Sequence, residues 1–242
     1  MVTLTLNRAL KTGDNITFDV QTGKSPDVAK RTKHTFSLST NEVATGSWKA
    51  VSNSTNSNSL TVWITPPVTA VIGYYQMSVR IFSGTYISHK LPGFILLFNP
   101  WAIDDDVYLA DESERKEYVL NDSTIMYYGN DNYIGEQGWN LGQFEADILP
   151  ICLLILEKQN MVDISLFYDP KEVSRVCSAM VNSNDDKGVI LGDWSGNYAD
   201  GRSPTSWSGS VAILRQWAKS GPVRYGQCWV FAGVLCTGTF NA

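Results

Sequence analysis

The feature that most constrains this chain is a change of hydrophobic period part-way along it. From Val2 to about Phe98, short runs alternate polar and apolar residues, as in Ile16-Thr17-Phe18-Asp19-Val20 and His34-Thr35-Phe36-Ser37-Leu38. Beyond Phe98-Asn99-Pro100-Trp101, apolar residues fall instead at helical spacing. Strict alternation places one set of side chains on one face of a strand, whereas recurrence every three or four residues draws a stripe along a helix. Both periods in succession predict two structural units. A proline at the change and the acidic run Asp104-Asp105-Asp106 after it set the boundary, giving residues 1–99 and residues 100–242.

In the first unit, Leu60 to Thr65, Tyr75 to Phe82 and Gly93 to Phe98 continue the alternation, and Gly, Pro, Asn and Ser clusters separate the runs. The pattern predicts an antiparallel β-sandwich. From Ser52 to Ser59 every residue is Asn, Ser or Thr, which predicts an exposed hairpin loop. In the second unit, three groups predict helices: Phe144, Ile148, Leu149 and Cys152 with a kink at Pro150, then Val173, Val176, Cys177 and Met180, then Val211, Leu214 and Trp217. The acidic concentration at Asp104 to Asp106, with Glu112, Glu114 and Glu117, reads as solvated surface.

Composition enters as a set of exclusions. Hydrophobic residues make up 43% of the 242, enough for real cores rather than disorder. The net charge of −5 comes from intermingled acids and bases, so the chain carries no basic face for nucleic acid. No stretch approaches the roughly 18 uninterrupted apolar residues of a spanning helix, and no basic-then-apolar leader opens the chain. The cysteines, Cys152, Cys177, Cys228 and Cys236, match neither a zinc site nor a disulfide scaffold, which points to a reducing, cytoplasmic setting. The glycosylation-type triplets at Asn15, Asn53 and Asn121 are therefore given no weight.

The chemistry concentrates in Pro222-Val223-Arg224-Tyr225-Gly226-Gln227-Cys228-Trp229-Val230-Phe231-Ala232-Gly233-Val234. Its loop-forming start and apolar continuation predict Cys228 at a helix amino terminus, where unpaired amide hydrogens and the positive end of the helix dipole favour a thiolate nucleophile. On spacing alone the same cysteine also fits a small core residue. The cluster Asn182-Ser183-Asn184-Asp185-Asp186 offers oxygen ligands to a hard cation and is equally good turn chemistry.

The run from Gly226 to Ala232, preceded by Val223-Arg224-Tyr225, resembles the active-site signature of animal transglutaminases. Other blocks agree in order: Phe94 to Trp101, Glu117-Tyr118-Val119-Leu120-Asn121-Asp122, Trp139-Asn140 with Gly142-Gln143-Phe144-Glu145, and Asn182 to Asp186. The resemblance covers almost the whole chain and is nearest to the epidermal type. It implies an immunoglobulin-like β-sandwich followed by the first, mainly helical part of a papain-like α/β core.

It further implies that Cys228 attacks a protein glutamine, releases ammonia and passes the acyl group to lysine or another primary amine. Trp194, in Gly192-Asp193-Trp194, matches the tryptophan whose indole hydrogen stabilises the oxyanion. Calcium would be held by the carbonyls of Ala179 and Asn182 and the side chains of Asn184 and Asp186. The family's catalytic histidine and aspartate lie downstream of the cysteine, while the chain's two histidines, His34 and His89, fall in the β-rich unit. The closing residues Gly238 to Ala242 depart from the family helix, so the chain is expected to be a fragment, inactive by itself. The alternatives are a catalytically dead short form used as a binding or regulatory module, and a papain-like protease, against which the β-rich first unit argues.

Overall fold

Residues at alternating positions decide the first unit. In the strand Asn15–Thr22, Ile16, Phe18 and Val20 are buried while Thr17, Asp19 and Gln21 face outward; each inward side chain contributes about 1.5–3 kcal/mol by leaving water. The structure is a computed structural model and describes residues 1–39, 46–56 and 58–240. Its first compact unit spans Met1–Leu97 and its second Phe98–Ala242.

The first unit holds β1 (Val2–Thr5), β2 (Asn15–Thr22), β3 (Lys33–Ser39), β4 (Lys49–Asn56), β5 (Ser59–Thr65), β6 (Gly73–Phe82) and β7 (Tyr86–Leu96). They form one curled sheet in the order β1-β5-β4-β3-β2-β6-β7. The curl turns on β3: Lys33 to Ser37 pair with β2, and Leu38 and Ser39 then pair with Ala50 and Val51 of β4. That last pairing is parallel, where the sequence predicted antiparallel strands throughout. Curling brings β1, β4 and β5 over β2 and β6, so that Leu4, Ile16, Phe18, Ala50, Leu60, Val62 and Val79 share one core. Trp48, Tyr75 and Met77 pack in a second, with Tyr75 and Phe94 stacked 5.4 Å apart.

The polar stretch from Ser52 to Ser59 is mostly strand, not loop. Ser52 pairs with Val62, Ser54 with Thr61, Thr55 with Leu60 and Asn56 with Ser59, with a bulge between Ser52 and Ser54. Backbone pairing supplies the order here, since ladder hydrogen bonds do not depend on side-chain polarity; Ser57 lies outside the described residues. Strand β7 begins at Tyr86, earlier than predicted, and tolerates Pro92 because it is an edge strand with a register shift opposite that proline.

The second unit contains α1 (Glu112–Tyr118), β8 (Ser123–Asn130), β9 (Tyr133–Asn140), α2 (Ile148–Lys158), α3 (Pro170–Met180), α4 (Ser183–Asp186), β10 (Ile190–Gly192), α5 (Ser210–Ser220), β11 (Val223–Gly226) and α6 (Cys228–Phe240). Among the described residues no helix is long and apolar enough to cross a membrane. Helix α3 buries Val173, Val176, Cys177 and Met180, the stripe its sequence predicts, and opens on Pro170 with the Asp169 side chain accepting from the Lys171 amide. In α5, Ile213 is buried with Leu214 and Trp217, and Val211 only partly. Pro150 does not kink α2, because the helix starts at Ile148 and a first-turn proline removes no intrahelical hydrogen bond; Phe144 lies outside that helix and is exposed. Asp105 departs from the solvated reading of its neighbours: it is only 9% exposed and accepts hydrogen bonds from the amides of Asn99 (2.9 Å) and Val107 (3.1 Å).

Helix α6 is seated by one close approach. A Cβ at Gly233 would stand 2.4 Å from the Trp139 ring, so only glycine lets the helix backbone lie against that indole. The Trp139 Nε1–H donates to Ser210 Oγ (2.9 Å), and Ser210 donates to the Gly233 carbonyl (3.1 Å). The Thr237 hydroxyl sits 2.8 Å from the same Ser210 oxygen. A Gly233→Ala substitution is expected to overpack this contact and destabilise the second unit by about 1–3 kcal/mol. Gly238→Ala, where a Cβ meets nothing within 4 Å, is expected to be neutral or to stabilise by about 0.5–1 kcal/mol through helix propensity. Thermal unfolding of the two variants side by side checks both.

Candidate active site

Cys228 is the first residue of α6, and the helix is entered through Gln227, whose carbonyl accepts from the amides of Val230 (2.8 Å) and Phe231 (3.1 Å). The thiol is exposed at the helix start, where the amides of Cys228 and Trp229 precede the first hydrogen bonds of the helical ladder. The other cysteines differ. Burial pushes the Cys152 and Cys177 thiols up to about 12, and burial also raises that of the half-buried Cys236.

Trp194 is far from Cys228 in sequence, and a short pair of strands draws their segments together. Strand β10 runs parallel to β11, with Ile190 opposite Val223, Leu191 opposite Arg224 and Gly192 opposite Gly226. The Asp193 amide then donates to the Gly226 carbonyl at 3.3 Å. The residue after Asp193 is the tryptophan, and two residues after Gly226 comes the thiol. The indole of Trp194 is 63% exposed and lies over Gly192, where a Cβ would stand 2.7 Å from the ring and 3.4 Å from Phe231. Gly192 and Phe231 were not singled out from the sequence. A glycine carries no chemistry for a motif to flag, and its role is visible only once a ring is found occupying the space a side chain would need.

The strand leading into Cys228 is anchored on its far side. Tyr225 donates its hydroxyl to Asp200 Oδ1 (2.6 Å), and Arg224 Nη1 reaches Asp200 Oδ2 (2.8 Å). The Tyr225 hydrogen bond foremost, with a backbone hydrogen bond and then the Arg224 charge, holds the Asp200 carboxyl below the usual carboxylate range. The buried Trp207 donates its Nε1–H to the Tyr225 carbonyl (2.9 Å), and the Arg202 guanidinium stacks 4.0 Å from the Trp207 ring centre.

The expected metal ligands lie at the junction of α3 and α4. The Ala179 carbonyl accepts from the amides of Val181 and Asn182 (3.1 Å to the latter), and the Asn182 carbonyl accepts from the Gly188 amide (3.2 Å). Asn182 also caps α4 through its side-chain oxygen, which accepts from the Asn184 amide at 2.9 Å. Asn184 is exposed; the side chain of Asp186 lies outside the described residues. Lys187 takes a left-handed φ of 56°, and Gly188 passes so close to the Met180 carbonyl that a Cβ there would stand 1.8 Å from it. Among the described residues, which leave out the side chains of Asp185 and Asp186, no group of three or more His, Cys, Asp or Glu side chains is gathered for a metal; the expected ligands are carbonyl, amide and carboxylate oxygens. That donor set is all oxygen and suits a hard cation.

Comparison with known proteins gives consistent matches. Residues 1–82 fit the family model described as "Transglutaminase family". The chain is 49% identical over 245 residues to human protein-glutamine gamma-glutamyltransferase E, an alignment that covers 98% of this chain and 35% of that protein. Human protein-glutamine gamma-glutamyltransferase 6 matches at 49% identity with the same coverage, and the human type 5 protein at 47% over 242 residues. Among solved structures, red sea bream transglutaminase superposes with a TM-score of 0.87 at 36% identity, covering 98% of this chain and 36% of that one. The chain thus spans about a third, 35%, of the length of the curated relatives it matches.

The burial pattern predicts an order of thiol reactivity. With an aromatic disulfide reagent at pH 8, Cys228 is expected to react first and Cys236 more slowly. Cys152 and Cys177, whose thiols stay protonated far above that pH, are expected to react only after denaturation. Peptide mapping after timed quenching reads the order, and fast modification of either buried cysteine in the folded protein would contradict it.

Proposed function

Because the chain belongs to the transglutaminase family, we propose that it is the amino-terminal part of a protein-glutamine gamma-glutamyltransferase in which Cys228 is the nucleophile. The observation that carries this reading is the exposed thiol at the start of α6, with the Trp194 segment joined to it through β10 and β11. The Cys228 sulfur attacks the carboxamide carbon of a protein glutamine, and the carbonyl π electrons move onto oxygen. The tetrahedral intermediate then expels the amide nitrogen as ammonia, leaving a thioester. A lysine ε-amine or small primary amine attacks that thioester, and the thiol is released with its proton. Trp194 donates its indole N–H to the oxyanion formed at each addition.

The proton must be held between these steps by a group of suitable basicity. His34 and His89 belong to β3 and β7 of the first unit; following the family resemblance, we assign the base and its orienting carboxylate to sequence outside these 242 residues and read the chain alone as catalytically incomplete. For calcium we assign the Ala179 and Asn182 carbonyls with the Asn184 and Asp186 side chains. Bound there, the ion would tie the end of α3 to α4 just ahead of β10, the strand that leads to Trp194. Cytoplasmic residence is part of the same reading, supported by cysteines that are all free.

In the full-length protein, incorporation of a labelled primary amine into a glutamine-bearing protein is expected to require calcium and to vanish in Cys228→Ala. Trp194→Phe is expected to lower kcat by about 10²–10³ while Cys228 remains open to iodoacetamide. Undiminished incorporation by Cys228→Ala would overturn the assignment.

A further inference from the structure

We infer that Gln227 is a positioning residue for acyl transfer, holding the Trp194 segment in register with the thiol; this rests on the reading of Cys228 and Trp194 given above. Its side-chain amide nitrogen donates twice. One hydrogen goes to the Asp193 carbonyl at 3.0 Å and the other to the Tyr198 hydroxyl at 3.0 Å. Gln227 immediately precedes the nucleophile, and Asp193 immediately precedes the indole. The side chain is half-buried, and both of its amide hydrogens are used.

The segment that Gln227 holds has little else to fix it. Residues 194 to 197 are exposed, and the local bonds are short-range turns: the Ser195 amide to Asp193 Oδ1, the Asn197 amide to Ser195 Oγ and the Ala199 amide to Asn197 Oδ1. Such turns shape a loop without fixing it to its surroundings. Fixing comes from the backbone bond of Asp193 to Gly226, from the Trp194 ring over Gly192 and from Gln227. Tyr198 is itself braced, its ring 6.0 Å from that of Tyr225, which bonds to Asp200. An oxyanion donor works only if it is already aimed where charge develops, because an indole that must reorient in the reaction loses most of its advantage. The glutamine that precedes the thiol therefore sets the direction of the donor across from it.

The test uses Gln227→Met in the full-length protein, which keeps the length of the side chain and the backbone cap of α6 and removes both donated hydrogens. Amide exchange across residues 193–199 is expected to rise about tenfold or more. The kcat for a glutamine substrate is expected to fall about 10- to 100-fold with KM within about twofold, and iodoacetamide is expected to alkylate Cys228 at the parent rate. Because Gln227 acts through Trp194, the Gln227→Met/Trp194→Phe double variant should be within about twofold of Trp194→Phe alone. Tyr198→Phe, which removes one acceptor, should give a smaller rise in exchange. Unchanged exchange, an unchanged kcat, multiplicative losses in the double variant, or alkylation falling in step with kcat would each overturn the inference. A Trp194→Phe protein with full activity would remove the oxyanion reading itself, a failure separable because the exchange measurement does not depend on turnover.

Discussion

The contact between Gly233 and Trp139 governs where α6 can lie, and the position of Cys228 follows from it. A helix carrying any side chain at 233 would be forced away from the indole, since the Cβ would be 2.4 Å from the ring. Close approach in turn requires the indole N–H and the polar groups nearby to be satisfied inside the core. Ser210 does this by accepting from Trp139 and donating to the Gly233 carbonyl, with the Thr237 hydroxyl beside it. These residues come from β9, α5 and α6, so one buried network fixes three elements at once. Left partly satisfied, the same groups would cost more than an apolar core, which makes the arrangement specific as well as stable.

From that frame the candidate site is assembled by very little structure. The β10 and β11 pair spans only a few residues, with a register shift just before Gly192, yet it carries the tryptophan segment to the cysteine. Short parallel pairs contribute few hydrogen bonds, so bracing must come from elsewhere. It comes from Trp207 beneath Tyr225, from Asp200 between Arg224 and Tyr225, and from Trp217, whose Nε1–H donates to the Gly188 carbonyl at 3.2 Å. Trp207 and Trp217 thus act as hydrogen-bond donors to backbone carbonyls beside this short strand pair.

Legibility of the fold in the sequence tracks how far each element obeys its own period. The strand at Ile16 to Val20 and the helix at Val173 to Met180 alternate or recur cleanly, and both are found where the pattern predicts. The hairpin of β8 and β9 was not read, because Ile125 and Tyr127 on one face and Tyr128 and Tyr133 on the other are all substantially exposed, so no polar face contrasts with an apolar one. The Ser- and Asn-rich arm of β4 failed for the complementary reason, being polar on both faces and held by its ladder. At the site, the cysteine at a helix start was legible from Gly226-Gln227-Cys228-Trp229 and the apolar run behind it. The seating of the indole was not, because Gly192 matters through its shape, and Phe231 and Gln227 through contacts with residues far away in sequence, as in the Gln227 contact with Asp193 at a separation of 34.

The four cysteines differ in how far each sulfur meets water. Cys152 and Cys177 line a small apolar void with Val181, Val189 and Val234, where an ionised sulfur would have neither solvent nor a charged partner. They serve as small hydrophobes, and burial keeps them protonated. Cys236 lies on the same helix as Cys228 but two turns further along, where the backbone amides are already committed to helical hydrogen bonds. Cys228 alone of the four is exposed, and it starts α6 just after β11, the strand paired with the β10 that leads to Trp194. What separates the four thiols is therefore burial and position on the helix rather than residue type.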